Sequence, residues 1–305
     1  GAQIDAWDSI ETATGDGRSL YSGTVPLETT QSGSSYQLKD PTRGNTYTGD
    51  AENKTDLCFF GICFSRAPAT LFTDADNHWG SGATSDRSSA AVDAQYGTNE
   101  TWDYYKNVHG RNGIAGDGKG SYNRVHYGSN YNNAFWDDSC FCMTYGDGDG
   151  TTFGPLVALD VAGHEMSHGV TSKTAALTYS GESGGLNEAT SDILGTMVEW
   201  YANNSSDQGD YLIGEEIVKP GFGKAALRFM DKRPGTAAPR TTGARRSATS
   251  TSTTPRASPT TSPTCSPRAA ARRPSTASTT TRRRPTARRS PASAGTRSAG
   301  SGTGR

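Results

Sequence analysis

Val161-Ala-Gly-His164-Glu165-Met-Ser-His168-Gly-Val170 is the stretch on which the reading of this chain turns. On a helix, residues four apart sit one above the other, so His164 and His168 would present two imidazoles to one point in space. Glu165 would stand about 100° round from His164, beside that point rather than on it. This is the H-E-x-x-H arrangement, in which two histidines hold zinc and the glutamate handles protons. A pattern with two free positions also arises in ordinary helices whose histidines are surface or core residues. The next predicted helix decides between the two.

Gly184-Gly185-Leu-Asn187-Glu188-Ala-Thr-Ser-Asp192-Ile-Leu-Gly-Thr-Met-Val-Glu199 opens after a glycine pair and puts Glu188, Asp192 and Glu199 on one face. Asp160, His164 and His168 share a face of the first helix. Packed antiparallel, the two helices bring His168 to Glu188, His164 to Asp192 and Asp160 to Glu199. Glu188 then supplies a third protein ligand and leaves zinc a position for water, as a catalytic site requires. Asp192 can accept the spare ring N–H of His164 and fix its tautomer. Asp160 and Glu199 would repel unless a hard cation lay between them, which suggests calcium. A merely solvated carboxylate face would not place its polar groups in this matched order.

From about residue 20 to 232 the chain resembles the thermolysin family of secreted bacterial zinc metalloendopeptidases. The likeness lies in Asp103-Tyr-Tyr-Lys-Asn-Val-His109, Val125-His-Tyr127, Asn132-Asn-Ala-Phe-Trp136, Tyr145-Gly-Asp-Gly-Asp-Gly150, the two helices above, and Ala226-Leu-Arg228. The resemblance implies an α+β fold. Residues 1–175 would form a β-rich N-terminal lobe ending in the zinc helix, and 176–232 would begin a helical lobe. It implies a zinc-dependent endopeptidase cutting on the amino side of bulky hydrophobic residues, with Glu165 as general base. Tyr179 would donate its phenol O–H to the oxyanion, and Asn133 with the Ala134 backbone would hold an extended peptide by strand addition. Arg228 would grip a substrate carbonyl, while Val161, Ile213 and Leu227 would wall an apolar pocket. Asp210 and Glu215 match further calcium carboxylates. Leu212 stands where two-calcium members carry glutamate, so one calcium is expected. Zinc and calcium are the implied cofactors and proteins or peptides the implied partners, with no nucleic acid, no membrane and a monomeric state.

Composition divides the chain sharply. Residues 1–232 hold all 31 acidic residues, and residues 233–305 hold fifteen arginines and no acid, so the overall −1 describes neither part. No charged-then-apolar leader or long apolar run is present, and with Gly1 first the chain reads as a processed soluble form. Cys58, Cys63, Cys140 and Cys142 make an even count within the acidic residues 1–232, which are rich in Gly, Asn, Ser, Thr and Tyr, favouring an oxidising, extracellular setting. Three pairings are possible, of which Cys58–Cys63 is preferred; a second zinc site is disfavoured because neither pair has zinc-ribbon spacing. Alternating runs between Leu20 and Thr73 predict strands and turns, and Ser89 to His109 predicts a packing helix.

At Lys232 the resemblance ends. Residues 233–305 use only Ala, Cys, Gly, Pro, Arg, Ser and Thr, with no Leu, Val, Ile or aromatic side chain to bury. One reading is a disordered basic tail for an anionic partner, attached to a truncated zinc-binding protein that does not cut. The genetic code offers another. All seven residue types have codons with G or C in the second position, which is where a one-base slip puts the third positions of a GC-rich gene. Let each true codon be the last base of one printed codon plus the first two of the next. Thr241 to Ala257 then permit Y-Y-W-S-S-A-V-G-N-L-D-V-H-Y-S-S-G, the kind of segment found in the family's helical lobe. The reading is an insertion or deletion near Arg233. A second oxyanion histidine implied by the resemblance would then be lost at Thr253, leaving the activity of the printed chain in doubt.

Overall fold

The computed structural model describes residues 11–59 and 62–231. The readings made for 1–10, for Lys232 and for the segment 233–305, Thr253 included, lie outside the described residues. The first part of the chain is strand-rich: β1 (Glu11–Arg18), β2 (Thr24–Ser32), β3 (Ser35–Gln37), β4 (Lys39–Asp40), β5 (Thr46–Asp50), β6 (Leu57–Phe59), β7 (Ile62–Ser65), β8 (Thr70–Leu71), β9 (Thr73–Asp74) and β10 (His78–Trp79). Then come α1 (Arg87–His109), β11 (Tyr122–Val125), β12 (Ala134–Asp137), β13 (Cys142–Tyr145), α2 (Leu159–Ser172), α3 (Gly181–Ala202), β14 (Leu212–Ile213) and β15 (Arg228–Phe229). The fold is α+β, most of its strands preceding the helix pair α2 and α3, with α1 set between β10 and β11.

Two sheets share the strands. One runs β10-β1-β2-β3-β9; the other runs β12-β13-β11-β5-β4, with β8 also on β5. β11 pairs parallel with β5, Asn123 opposite Thr48. A parallel neighbour needs a long crossover, and α1 is that crossover. Its ends are written in the sequence: the Asp86 side chain accepts from Ser88 N at the start, and Gly110 turns left-handed at φ 65° to stop it. Trp79, Leu27, Val92, Met143 and Leu159 are among the buried side chains that weld the sheets and helices into one core.

Polar anchors hold the lobe where apolar packing cannot. Asp93, 1% exposed on α1, accepts the backbone amides of Leu20 at 2.6 Å, Ser22 at 3.3 Å and Tyr21 at 3.4 Å. Burial pushes its carboxyl up to about 6, against the pull of those amides. Asp93→Ala would strand buried donors at about 1–3 kcal/mol for each one left unpaired. Urea denaturation is expected to show a loss of about 3 kcal/mol with an unchanged slope; an unaltered midpoint would mean that the amides find other partners.

Cys58 and Cys63 are joined across the β6–β7 hairpin, as the sequence favoured, and Cys140 is joined to Cys142. No helix among the described residues is long and apolar enough to cross a membrane.

Candidate metal centre and active-site cleft

α2 is buried almost all round, from Leu159 and Asp160 to Val170 and Thr171, as befits a helix lodged between sheet and helix. α3 packs on it closely because both helices present glycine at the crossing. A Cβ on Gly195 would meet the Asp160 carbonyl oxygen at 2.6 Å and His164 N at 2.9 Å, and one on Gly163 would meet Gly195 Cα at 3.0 Å. α3 begins at Gly181, ahead of the Gly184-Gly185 pair expected to open it. Ser183 ties that first turn back to the chain before it: its hydroxyl proton is shared between the carbonyls of Thr178 and Ser180.

The close crossing converges three donors. His164 Nε2 and His168 Nε2 are 3.0 Å apart, and the Glu188 carboxylate oxygens lie 3.4 Å from each. Ligands about 2.0–2.1 Å from a tetrahedral zinc ion stand about 3.3 Å from one another, so this triangle fits one face of such a site. Glu165 also lies close, its ligand atom within 4.8 Å of those of both histidines. The two glutamates differ in charge state. Hydrogen bonding to His164 lowers the Glu188 carboxyl, whereas burial pushes Glu165 up to about 7 although His164 opposes the shift. Glu188 is therefore the ready anion and Glu165 the group able to exchange a proton near neutrality.

Neighbouring side chains set the imidazoles. His164 Nδ1 lies 2.7 Å from Asp192 Oδ1, and Asp192 also receives a two-point contact from Arg228, Nε at 2.7 Å and Nη2 at 2.6 Å. Burial disfavours the His164 cation, yet Asp192 and Glu188 outweigh it and raise the ring to about 9. His168 goes the other way, lowered by burial and by the His164 charge. His168 Nδ1 faces Asn187 Oδ1 at 2.6 Å and Ser191 Oγ at 3.1 Å. Neither residue was singled out from the sequence, although both lie one position before the acids that were. Asn187→Ala is expected to weaken zinc binding by about 10–100-fold in a competitive chelator titration. An unchanged affinity would reduce Asn187 to a bystander.

Tyr179 is well exposed, and its hydroxyl donates to Glu188 Oε1 while its ring stands edge-on to His168, centroids 5.9 Å apart. These groups open into a cleft of about 630 Å³. Asn133 and Ala134 line one wall, where β12 is the outermost strand of its sheet: Ala134 pairs with Tyr145 on one side only. Val161, Ile213 and Leu227 line the cleft with Arg228 beside them, joined by Leu156 and Ile217, which the sequence reading did not name.

A second cluster lies behind the crossing. Glu199, Asp207 and Glu215 bring carboxylate oxygens within 4.8 Å of one another, Glu199 and Asp207 being fully buried. Asp207 Oδ2 and Glu215 Oε2 are buried without a hydrogen-bond partner, which fits a hard cation between them. Asp160 spends both oxygens on amides, Val161 N at 2.7 Å and Gly214 N at 2.6 Å. Asp210 caps Leu212 N at 2.5 Å, and its own amide donates to Glu199 Oε2 at 3.3 Å. The oxygens that converge thus include Asp207, absent from the sequence reading, while Asp160 and Asp210 have carboxylate oxygens engaged by backbone.

A family model described as thermolysin metallopeptidase, catalytic domain, matches residues 14–172, and one described as thermolysin metallopeptidase, alpha-helical domain, matches residues 175–257. The chain belongs to the thermolysin metallopeptidase family. It is 61% identical over 218 residues to the transglutaminase-activating metalloprotease of Streptomyces mobaraensis, a stretch covering 72% of this chain and 27% of that protein. Bacillolysin of Brevibacillus brevis is 45% identical over 75% of this chain and 39% of its own length. Thermolysin of Alicyclobacillus acidocaldarius is 47% identical over 64% of this chain and 33% of its own. The chain therefore spans well under half of these relatives. Among solved structures, the protealysin precursor from Serratia proteamaculans superposes with a TM-score of 0.49 at 33% identity, over 61% of this chain and 53% of that one. The helical-domain match continues past Lys232, where the resemblance read from the sequence stopped.

Proposed function

We propose that this protein is a secreted zinc-dependent endopeptidase that cleaves proteins or peptides on the amino side of bulky hydrophobic residues. The observation that carries the reading is the convergence of His164, His168 and Glu188 at 3.0–3.4 Å, in one cleft with Glu165. Zinc held by those three residues would polarise a water and the scissile carbonyl. Glu165 accepts a proton from the attacking water and returns it to the leaving nitrogen, a role suited to a buried carboxyl pushed up to about 7. The free edge of β12 at Asn133 and Ala134 aligns an extended peptide through main-chain bonds. Tyr179, already at the donor cluster, turns its O–H to the developing oxyanion. Arg228, held by Asp192, faces the substrate, and the apolar wall of Val161, Ile213 and Leu227 selects the side chain after the cut.

Calcium at Glu199, Asp207 and Glu215 would neutralise the buried carboxylates and brace the rear of the helix crossing. The two disulfides support an extracellular setting, and the protein would act as a monomer without nucleic acid or membrane.

Digestion of an unfolded protein such as casein by the chain with the reading frame near Arg233 restored tests the assignment. New N-termini should begin with Leu, Ile, Val, Phe or similar residues, and metal analysis should give one zinc per chain. Zinc-free protein, or cuts without regard to the following residue, would overturn it. The polypeptide as printed is expected to turn over weakly or not at all, since an oxyanion histidine would be lost at Thr253.

A further inference from the structure

β6 and β7 form a two-stranded hairpin that carries apolar side chains outward: Leu57, Phe59 and Phe64 stand 65%, 64% and 71% exposed. So short a hairpin is marginal on its own. Cys58 and Cys63, opposite one another in its register, are joined and keep it closed. Its base is built onto the cleft strand β12. Asp56, just before β6, accepts from Ala67 N at 2.7 Å, and its own amide donates to the Tyr127 hydroxyl at 2.8 Å. Tyr127 in turn packs edge-on against Phe135, ring centroids 5.6 Å apart. Arg66, just after β7, donates to Asp137 Oδ2 at 2.8 Å and to the Ser139 hydroxyl. Phe135 and Asp137 are alternate residues of β12 and share a face. The hairpin therefore flanks that face, while α2 flanks the other, where a Cβ on Gly169 would meet the Trp136 indole at 2.6 Å.

The cleft also has a direction. Successive residues of α2 meet it in order: Val161 at the apolar wall, His164 and His168 at the metal triangle with Glu165 accepting from the Trp136 amide, and Ser172, whose hydroxyl donates to Asp138 Oδ1 at 2.7 Å. With the apolar wall receiving the residue after the cut, the residues before it pass the metal and run along β12 toward Asp137 and Asp138. A peptide added to a strand edge turns alternate side chains to opposite faces, so one set of them faces the hairpin side. We propose that the β6–β7 hairpin is an extended substrate subsite, in which Leu57 and Phe64 take apolar side chains about three to five residues before the cut bond. The inference rests on the peptidase reading above and adds a second apolar determinant beyond the metal. Substrate is the occupant because the patch is continuous with the cleft: Phe135 lines the cleft and also packs on the small core of Ala51, Ala67 and Tyr127 at the foot of the hairpin. The hairpin's covalent closure meanwhile holds its apolar side chains out beside that strand rather than in the main core.

Two peptide series, both with Leu after the cut and both digested by the frame-restored, zinc-loaded chain, test the subsite. Short peptides begin one residue before the bond; long ones carry Phe, Gly or Asp at the third to fifth positions before it. Along the long series kcat/KM should rise about five-fold or more from Asp to Phe. Leu57→Ser with Phe64→Ser should level that series, lowering the ratio of long-peptide to short-peptide kcat/KM, and Phe64→Lys should turn the preference toward Asp. Long peptides cut at equal rates, or a preference that the hairpin variants leave intact, would overturn the inference while cleavage of the short peptides upholds the peptidase reading. Short peptides left uncut would sink that reading and this one with it. A flat long series together with a dimer, or with binding to phosphatidylcholine vesicles, that the double substitution abolishes would give the patch to a second copy or to a lipid surface instead of substrate.

Discussion

Glu165→Gln is expected to reduce kcat by about 10²–10⁴-fold while zinc content and KM stay near those of the parent protein. Gln keeps the size of the side chain and one acceptor oxygen but cannot carry a proton between water and the leaving nitrogen. The substitution should leave the metal site intact, because the close donor triangle is His164, His168 and Glu188, with edges of 3.0, 3.4 and 3.4 Å. Glu188→Gln provides the contrast. It removes the anion that both imidazoles face, so zinc should be lost together with rate. Metal analysis of the two variants beside their steady-state kinetics separates the roles. If Glu165→Gln loses zinc and Glu188→Gln keeps it, the assignment of base and ligand is reversed; if Glu165→Gln retains full rate, the general-base role is gone.

What the sequence disclosed about this site follows from periodicity. His164 and His168, and Glu188 and Asp192, are helical four-residue pairs, and two helices in contact leave little freedom in how such pairs can meet. The site was less legible where position depends on chain reversal. Asp207 reaches the acidic cluster because α3 ends at Asn203 in a left-handed turn, φ 47°, and the chain folds back. No spacing rule encodes that reversal. Asp210 matches a calcium carboxylate only by resemblance, and in the structure one of its oxygens closes a local turn by accepting from Leu212 N, two residues on. The start of α3 lies earlier than the glycine pair after which the sequence opened it, at Gly181, where the Ser183 hydroxyl bonds back to the carbonyls of Thr178 and Ser180. The parallel pairing of β5 with β11 is long-range and could be stated only as an α+β expectation.

Removing calcium should destabilise the protein increasingly as pH rises, with zinc kept saturated throughout. Burial raises the carboxyls of Glu199, Asp207 and Glu215, and the Asp160 charge adds to each; Asp207 reaches about 7 and Glu215 about 8, with Glu199 higher still. In the unfolded chain these groups titrate near 3.8 for Asp and 4.5 for Glu. Between about pH 4 and pH 8 the calcium-free folded form therefore binds more protons than the unfolded form, so its stability is greatest at the acidic end and declines as pH rises through the folded values. A cation among the oxygens substitutes for those protons and flattens the dependence, so the gain in Tm on adding calcium should be larger at pH 8 than at pH 5. Saturating zinc matters because the metal-free His164, raised to about 9, would lose stability with rising pH in the same direction. Asp207→Asn distinguishes the geometry found here from the one read off the sequence. It removes a buried charge that Asp160 and Glu216 oppose, so the calcium-free protein should show a shallower decline with pH and weaker calcium binding. Asp210→Asn, whose side chain caps Leu212 and whose charge adds to Glu215 but not to Asp207, should leave most of the decline in place. A calcium-free Tm that climbs from pH 5 to pH 8 would mean that these carboxylates are not held together without the ion.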